Sequence, residues 1–166
     1  METQNAPAYF KSNTGYRFIS LTESAFKISI PKPSGGYFYK TIGHKKIGEE
    51  QALKKAIKER NKHGKRIWSK HWHRVVSNWT LLARLPRNLD PRFQYRTDRN
   101  ALQGEYRANW IEWVSNKPIK RYRRYSCDAH GKLGAFMLAK KKLEDAHKDK
   151  YELLTFMGRA PIVKFK

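Results

Sequence analysis

The most regular hydrophobic pattern in the chain is an alternation with period two. Phe26, Ile28 and Ile30 alternate with small or polar residues at positions 25, 27 and 29, which is typical of a strand with one buried face. The following PKPSGG segment, residues 31–36, has the composition of a turn. With an aromatic and basic stretch at 15–20 and another at 37–42, the pattern predicts three strands.

The next segment changes to helical spacing. Residues 49–62, EEQALKKAIKERNK, place apolar or small side chains at 52, 53, 56 and 57. Two glutamates open the segment, and Gly64 is predicted to end the helix. The sequence therefore predicts a strand-strand-strand-helix unit at 15–64, preceded by a flexible N-terminal arm at 1–14.

The same layout recurs later in the chain. EYRANWIEWVS and KPIKRYRRYS predict strands, and GAFMLAKKKLEDAH predicts a helix. A repeated unit is informative about the fold, because each copy must build the same small core. We predict an α+β protein of two units, each a three-stranded antiparallel sheet packed on one helix, with the second unit at 92–150 and a C-terminal tail at 151–166.

A connecting segment at 65–91 lies between the units. Within it, residues 66–85 carry tryptophan, valine and leucine at spacings of three and four, which predicts an amphipathic helix. Its apolar stripe is interpreted as core that packs the two units together, with a homodimer seam as the alternative. The PRNLDP segment, residues 86–91, ends this helix and is the best internal boundary.

Charge identifies the class of partner. The chain has 166 residues, with 36 Lys and Arg against 14 Asp and Glu, a formal net charge of +22. A polyanion relieves such self-repulsion when basic side chains neutralise phosphates and release counterions. No apolar run approaches the ~20 residues that a membrane-spanning helix needs, so nucleic acid is the expected partner and a membrane is not.

Few residues suggest catalysis. Cys127 is the one cysteine, so no disulfide framework is expected, and a cytoplasmic, DNA-associated location is predicted, or a nuclear one in a eukaryote. A dyad of Cys127 with His130, or a metal site at His71 and His73, would each lack further positioned partners. We predict a binding protein that is not an enzyme and has no catalytic residues, cofactor or metal.

Basic and aromatic residues interleave in the second unit at residues 117–124, which include Arg121, Tyr122, Arg123 and Arg124. Guanidinium groups suit phosphates and guanine edges, and flat rings pack against sugars and thymine methyls, so the pattern favours duplex DNA. The same side chains could stack on unpaired bases, which keeps RNA as an alternative partner. Six further basic residues are expected to contact phosphates: Lys45, Lys46, Lys65, Arg66, Lys70 and Arg74.

Both units resemble the Apetala-type (ethylene-response-factor, AP2/ERF-like) DNA-binding domain. In the second unit the resemblance lies in Tyr125 and Ser126, Gly131, and the alanines 135 and 139. In the first it lies in Ile42 and Gly43 followed by the 49–62 helix. The resemblance implies two tandem domains, each docking its sheet in the DNA major groove.

The resemblance also implies which strand positions face DNA. In the first unit they are Arg17, Lys27, Ser29, Tyr37, Tyr39 and Thr41. In the second unit they are Arg107, Asn109, Trp110, Glu112, Tyr122 and Arg124. A one-residue shift of strand parity would instead expose Ile111 and Trp113.

These expectations lead to one predicted function. The chain is expected to be a sequence-specific double-stranded DNA-binding protein, a transcription regulator of the phage or mobile-element type. The alternatives are an RNA-binding protein and a DNA-targeting accessory of a nuclease or recombinase.

Overall fold

The protein is α+β, as predicted. It has two three-stranded antiparallel sheets, and each sheet is followed along the chain by helices. The structure, a computed structural model, describes residues 12–96, 103–115 and 117–160. Its internal contacts divide the chain into two compact units between Leu85 and Pro86. Most of the predicted arm, residues 1–11, and the end of the predicted tail, 161–166, lie outside the described residues.

The first sheet contains β1 (Ile19–Leu21), β2 (Ala25–Pro31) and β3 (Tyr37–Gly43), in that order. The predicted alternation is confirmed, because Phe26, Ile28 and Ile30 are buried. Their neighbours at 27 and 29 pair with positions 41 and 39 of β3 and lie on the opposite face. One face of this sheet is therefore core, and the other is available.

Helix α1 (Glu49–Trp68) packs on the core face of this sheet. Ala52 and Ala56 are fully buried, and such small side chains let the helix approach the strands closely. At the far end of the helix, the Trp68 Nε1 donates a hydrogen bond to the Pro31 carbonyl oxygen at 2.8 Å. The helix and the sheet are thus joined along most of the length of α1.

The prediction that Gly64 ends this helix is wrong, since α1 continues for another turn to Trp68. Gly64 is buried there, and a Cβ at this position would overlap the indole ring of Trp72. The glycine therefore provides space for a neighbouring ring, and the helix ends instead at Ser69, whose φ of 50° is outside the helical region.

The predicted continuous helix at 66–85 is also wrong. Its first residues complete α1, and a 3-10 turn at Ser69–His71 leads into the short helix α2 (Trp72–Ser77). Asn78 then adopts an extended conformation and stops α2, and a second 3-10 turn follows at Leu82–Arg84. The apolar spacing was helical, but backbone breaks at Ser69 and Asn78 divide it.

The apolar side chains of this segment are nevertheless buried. Trp68, Trp72, Val75, Trp79 and Leu85 all belong to the core. These five buried side chains all lie within the first unit.

The second sheet contains β4 (Arg92–Arg96), β5 (Gln103–Val114) and β6 (Lys117–Ser126), again in chain order. Helix α3 (Cys127–Ala146) contacts β5 and β6. Tyr106 and Ala108 are buried on the β5 side, as are Ala135, Phe136 and Ala139 on the helix side. The alanines of the predicted second helix thus form its buried stripe.

The strand-to-helix junction of the second unit has two local features. The Ser126 hydroxyl accepts a hydrogen bond from the Asp128 backbone N–H at 3.2 Å and caps the helix. Gly131, at φ 67° and ψ 161°, interrupts the helical backbone five residues after Ser126, in a region essentially restricted to glycine. The main body of α3 therefore follows Gly131.

Residues beyond α3 are ordered into a further short helix, α4 (Tyr151–Phe156). Its Leu153 and Leu154 are fully buried. The Leu89 N–H donates to the Arg159 carbonyl oxygen at 3.1 Å, which ties this end to the start of the second unit. The described part of the predicted tail, residues 151–160, is thus packed into the second unit.

Candidate nucleic-acid interface

The open face of the first sheet brings together five residues predicted to contact DNA. Strand register places Lys27 opposite Thr41 and Ser29 opposite Tyr39, on the face away from α1. Tyr37, opposite Pro31, shares this face. All five predicted strand positions of β2 and β3 are therefore neighbours on one surface.

Two tyrosines dominate that surface. Tyr37 and Tyr39 are 55% and 59% exposed, their ring centroids are 5.9 Å apart, and their planes differ by 24°. The Lys27 ammonium lies 5.1 Å from the centre of the Tyr39 ring. The face thus presents stacked aromatic rings with a cation beside them.

Arg17 does not belong to this surface. Its side chain is 6% exposed, and its guanidinium donates a hydrogen bond to the Asn78 carbonyl oxygen. It also lies 4.7 Å from the Phe18 ring centre and 5.7 Å from that of Trp79, and burial lowers the pKa of Arg17 to about 10. The structure corrects the outward placement of Arg17, because its interactions are with the core and with the loop after α2.

The second sheet carries a row of three arginines on its open face. Arg92 of β4 pairs directly with Arg107 of β5, which pairs directly with Arg124 of β6. Like charges placed opposite each other across strands destabilise a sheet. We call Arg92, Arg107 and Arg124 the arginine row.

Tyr122 lies on the same face as the arginine row, beside two of its members. The guanidinium carbons of Arg107 and Arg124 lie 4.1 Å and 5.3 Å from the centre of its ring. Glu105, which is only 4% exposed, lies 3.5 Å from the Arg124 Nε through its carboxylate. Three arginines beside this carboxylate leave a net positive charge on the described part of the face.

The residues of β5 that were predicted to face DNA lie on two different faces of the sheet. Asn109 pairs with Tyr122 and lies on the same face as the arginine row. Trp110 and Glu112 lie on the opposite face, because the buried Tyr106 and Ala108 turn the even-numbered positions towards α3. The outward placement of Trp110 and Glu112 beside Asn109 is thus corrected.

The alternative prediction, in which Ile111 and Trp113 are exposed, is correct for the end of β5. Ile111 and Trp113, 48% and 38% exposed, follow Asn109 on the open face. On the other face, the Arg121 Nε lies 2.8 Å from the Glu112 carboxylate, and the Arg123 guanidinium lies 5.9 Å from the Tyr125 ring centre. Arg121 and Arg123 are exposed, but they flank the arginine row on the reverse side.

The residues predicted to contact phosphates all lie in the first unit. Lys45 and Lys46 are exposed in the turn after β3. Lys65 and Lys70 are exposed and line a common pocket of about 540 Å³, together with Arg60, Asn61, Ser69, Trp72, His73 and Val76. Arg66 is exposed in the last turn of α1, and Arg74 is half-buried in α2.

The sequence analysis missed Arg92, because it assigned no strand to residues 92–96. The RFQYR segment alternates polar and aromatic side chains over five residues, which is the period of a strand. That alternation, directly after the PRNLDP turn, could have located β4 and the first member of the arginine row.

The described residues also bear on a metal site, on the reactivity of Cys127 and on a membrane span. Across residues 12–96, 103–115 and 117–160, no three His, Cys, Asp or Glu side chains are grouped closely enough to hold a metal ion. Burial and the neighbouring Asp128 carboxylate raise the pKa of Cys127, which disfavours a reactive thiolate. None of the described helices is both long enough and apolar enough to cross a bilayer.

Comparison with known proteins adds no assignment. No known protein family matches the chain, and searches of curated proteins and of solved structures returned no match to it.

Proposed function

We propose that this chain is a sequence-specific double-stranded DNA-binding protein, a transcription regulator of the phage or mobile-element type that binds without catalysis. The observation that carries the proposal is the arginine row. Its three arginines pair directly across three strands on one sheet face, and the described residues place the Glu105 carboxylate near Arg124. Phosphates or guanine edges would relieve the repulsion between them.

The dimensions of the row suit duplex DNA. Neighbouring strands are about 4.8 Å apart, so a row across three strands spans roughly 10 Å. The major groove of B-DNA is about 12 Å wide, and sheets and β-ribbons are known to dock in DNA grooves. Arg107 and Arg124 would read guanine edges, since their stacking on Tyr122 holds the planar groups in place.

The AP2/ERF-like resemblance supports the same mode of docking. That family places a three-stranded sheet, backed by one helix, into the major groove. Here each unit has a helix on one sheet face and basic or aromatic residues on the other. Lys45, Lys46, Lys65, Arg66, Lys70 and Arg74 would add phosphate contacts that raise affinity without reading sequence.

Selection from a random double-stranded DNA library at near-physiological salt tests this function directly. Nonspecific phosphate binding is weakened under that condition, so a specific reader should enrich one sequence motif. A variant with Arg107→Ala and Arg124→Ala should enrich none. Failure of the unaltered chain to enrich any motif, with equal binding to all duplexes, would reject sequence-specific recognition.

A second candidate function is binding of single-stranded RNA, which the Tyr37 and Tyr39 pair favours. Exposed and nearly parallel rings beside Lys27 are suited to stacking on unpaired bases. Competition between duplex DNA and single-stranded RNA of equal length would separate the two candidates. Tyr39→Ala should weaken RNA binding severalfold if the pair is a stacking platform.

A further inference from the structure

The β5 and β6 hairpin extends beyond the part of its sheet that α3 covers. Tyr106 and Ala108 are buried, whereas every described residue from Ile111 through Arg124 is exposed. Trp110 is half-buried, with the Lys142 ammonium of α3 5.3 Å from its ring centre. Beyond Trp110 the hairpin is a two-stranded ribbon with both faces in solvent. From here on we call this ribbon the arm, which is a separate feature from the predicted N-terminal arm.

The open face of the whole β5 and β6 hairpin changes character along its length. It begins at the arginine row, continues through the Asn109 and Tyr122 pair and the Ile111 and Lys120 pair, and ends at the Trp113 and Pro118 pair. Cations thus lie at the base, hydrogen-bonding side chains in the middle and apolar side chains at the tip. A duplex offers phosphates, base edges and stacked rings, which are the chemical partners of these three zones.

Exposure of the apolar side chains at the tip is unfavourable while the protein is unbound. On the open face of the arm, Ile111 and Trp113 are 48% and 38% exposed, and Trp113 pairs with Pro118. Exposed apolar surface of this kind is unfavourable in water and marks an interaction site. The basic residues around it, Lys117, Lys120 and Arg121, favour a polyanion as the occupant over an apolar protein surface.

We propose that the tip of the arm is a wedge that inserts Trp113, backed by Pro118, between base pairs of the bound duplex and bends it. This proposal rests on the function proposed above. From Arg107 to Trp113 the strand rises about 20 Å. The tip can therefore lie further along the same groove and enter a base step while Arg107 and Arg124 contact guanine edges. Apolar side chains that enter a base step from the minor groove kink DNA by about 20–90°, and we expect a bend of this order for entry from the major-groove side.

The bend can be measured by energy transfer between dyes at the two ends of a duplex of roughly 30 base pairs, with binding followed separately by a mobility shift. The full chain should bind and shorten the end-to-end distance. Trp113→Ala should still bind but should lose most of the bend, and Trp113→Phe should retain it.

Ile119→Ala is the matched control, because Ile119 is exposed near the tip but pairs with Glu112 on the reverse face. It should leave the bend unchanged. Circular dichroism melts of each variant establish that the fold is intact.

The outcomes separate the two proposals. Absence of duplex binding by the full chain rejects the proposed function itself. Binding without a bend, or a bend that Trp113→Ala and Ile119→Ala reduce equally, rejects only the wedge. Preference for single-stranded RNA over the duplex also rejects the wedge, since it leaves no base stack to enter.

Discussion

At the scale of single residues, the geometry around Tyr122 allows the orientation of the neighbouring arginine side chains to be tested separately from their charge. Arg107 and Arg124 both stack near its ring, and Arg124 also neighbours the buried Glu105. Removal of Arg124 would take a cation away from a buried carboxylate, which costs stability. Lysine at this position keeps the charge but lacks the planar fork that recognises guanine.

We therefore expect Arg124→Lys and Tyr122→Ala to reduce discrimination between specific and random DNA by about 1–3 kcal/mol. Lys65→Ala, on α1, should weaken binding to both DNAs about equally. Titrations with the selected site and a scrambled site measure the two effects. Equal losses on both DNAs for all three variants would reject this division between base readout and phosphate contact.

A second residue-scale prediction concerns His147, at the end of α3. Burial and the nearby Lys150 ammonium lower the pKa of this buried histidine, partly opposed by Asp149. The unfolded chain takes up a proton below pH ~6.5, whereas the folded chain does so only at lower pH. Stability should therefore fall as pH decreases from about 6.5 towards the lowered pKa.

Urea denaturation at about pH 7.5 and about pH 5 tests this effect. His147→Gln should lose less stability on acidification than the unaltered chain. His73→Gln, at an exposed position on α2, should keep the full loss. An unchanged pH dependence in His147→Gln would show that other groups cause it.

At the scale of elements, alanine substitutions at two helical glycines should have opposite effects on stability. Gly64 lies in α1 against the Trp72 ring, and a Cβ there would overlap that ring. Gly134 lies in α3, where a Cβ would be 3.5 Å from the Cβ of His130, an ordinary contact. Helix propensity alone favours alanine over glycine at both positions by up to about 1 kcal/mol.

Packing should therefore reverse the effect at one site only. Gly64→Ala should destabilise the first unit by about 1–3 kcal/mol, because the ring must move. Gly134→Ala should stabilise the second unit by about 0.5–1 kcal/mol. Thermal or urea unfolding measures both, and a stabilised Gly64→Ala variant would contradict the packing role of this glycine.

At the scale of the whole molecule, the net charge of +22 should dominate affinity. Six residues predicted to contact phosphates would give a slope of log affinity against log salt of roughly −5. Linking two units raises the effective concentration of the second once the first is bound. Weak contacts in each unit can then add up to firm binding.

Salt titration of duplex binding tests this prediction. Lys65→Ala should make the slope shallower by about 0.9, the effect of one lost phosphate contact. Tyr39→Ala removes a ring and no charge, so it should leave the slope unchanged while altering affinity. A slope near zero for the full chain would contradict an electrostatic origin of the affinity.

The sequence by itself determined the α+β class, the β2 pattern and the buried alanines of both main helices, because periodicity and side-chain size are local properties. It also determined the charge, and with it the expected class of partner. The resemblance to the AP2/ERF-like domain pointed to five residues of β2 and β3 on one face, and they are neighbours there because alternate residues of a strand share a face.

The tertiary structure decided what depends on contacts distant in sequence. Gly64 was predicted to end a helix, yet it lies within one, and the Trp72 ring occupies the space that a side chain at this position would need. Arg17 became a core residue through its bond to Asn78. The parity of β5 depended on which residues α3 covers, and the arginine row depended on the register of three strands. Packing between distant segments sets each of these, and no local pattern encodes it.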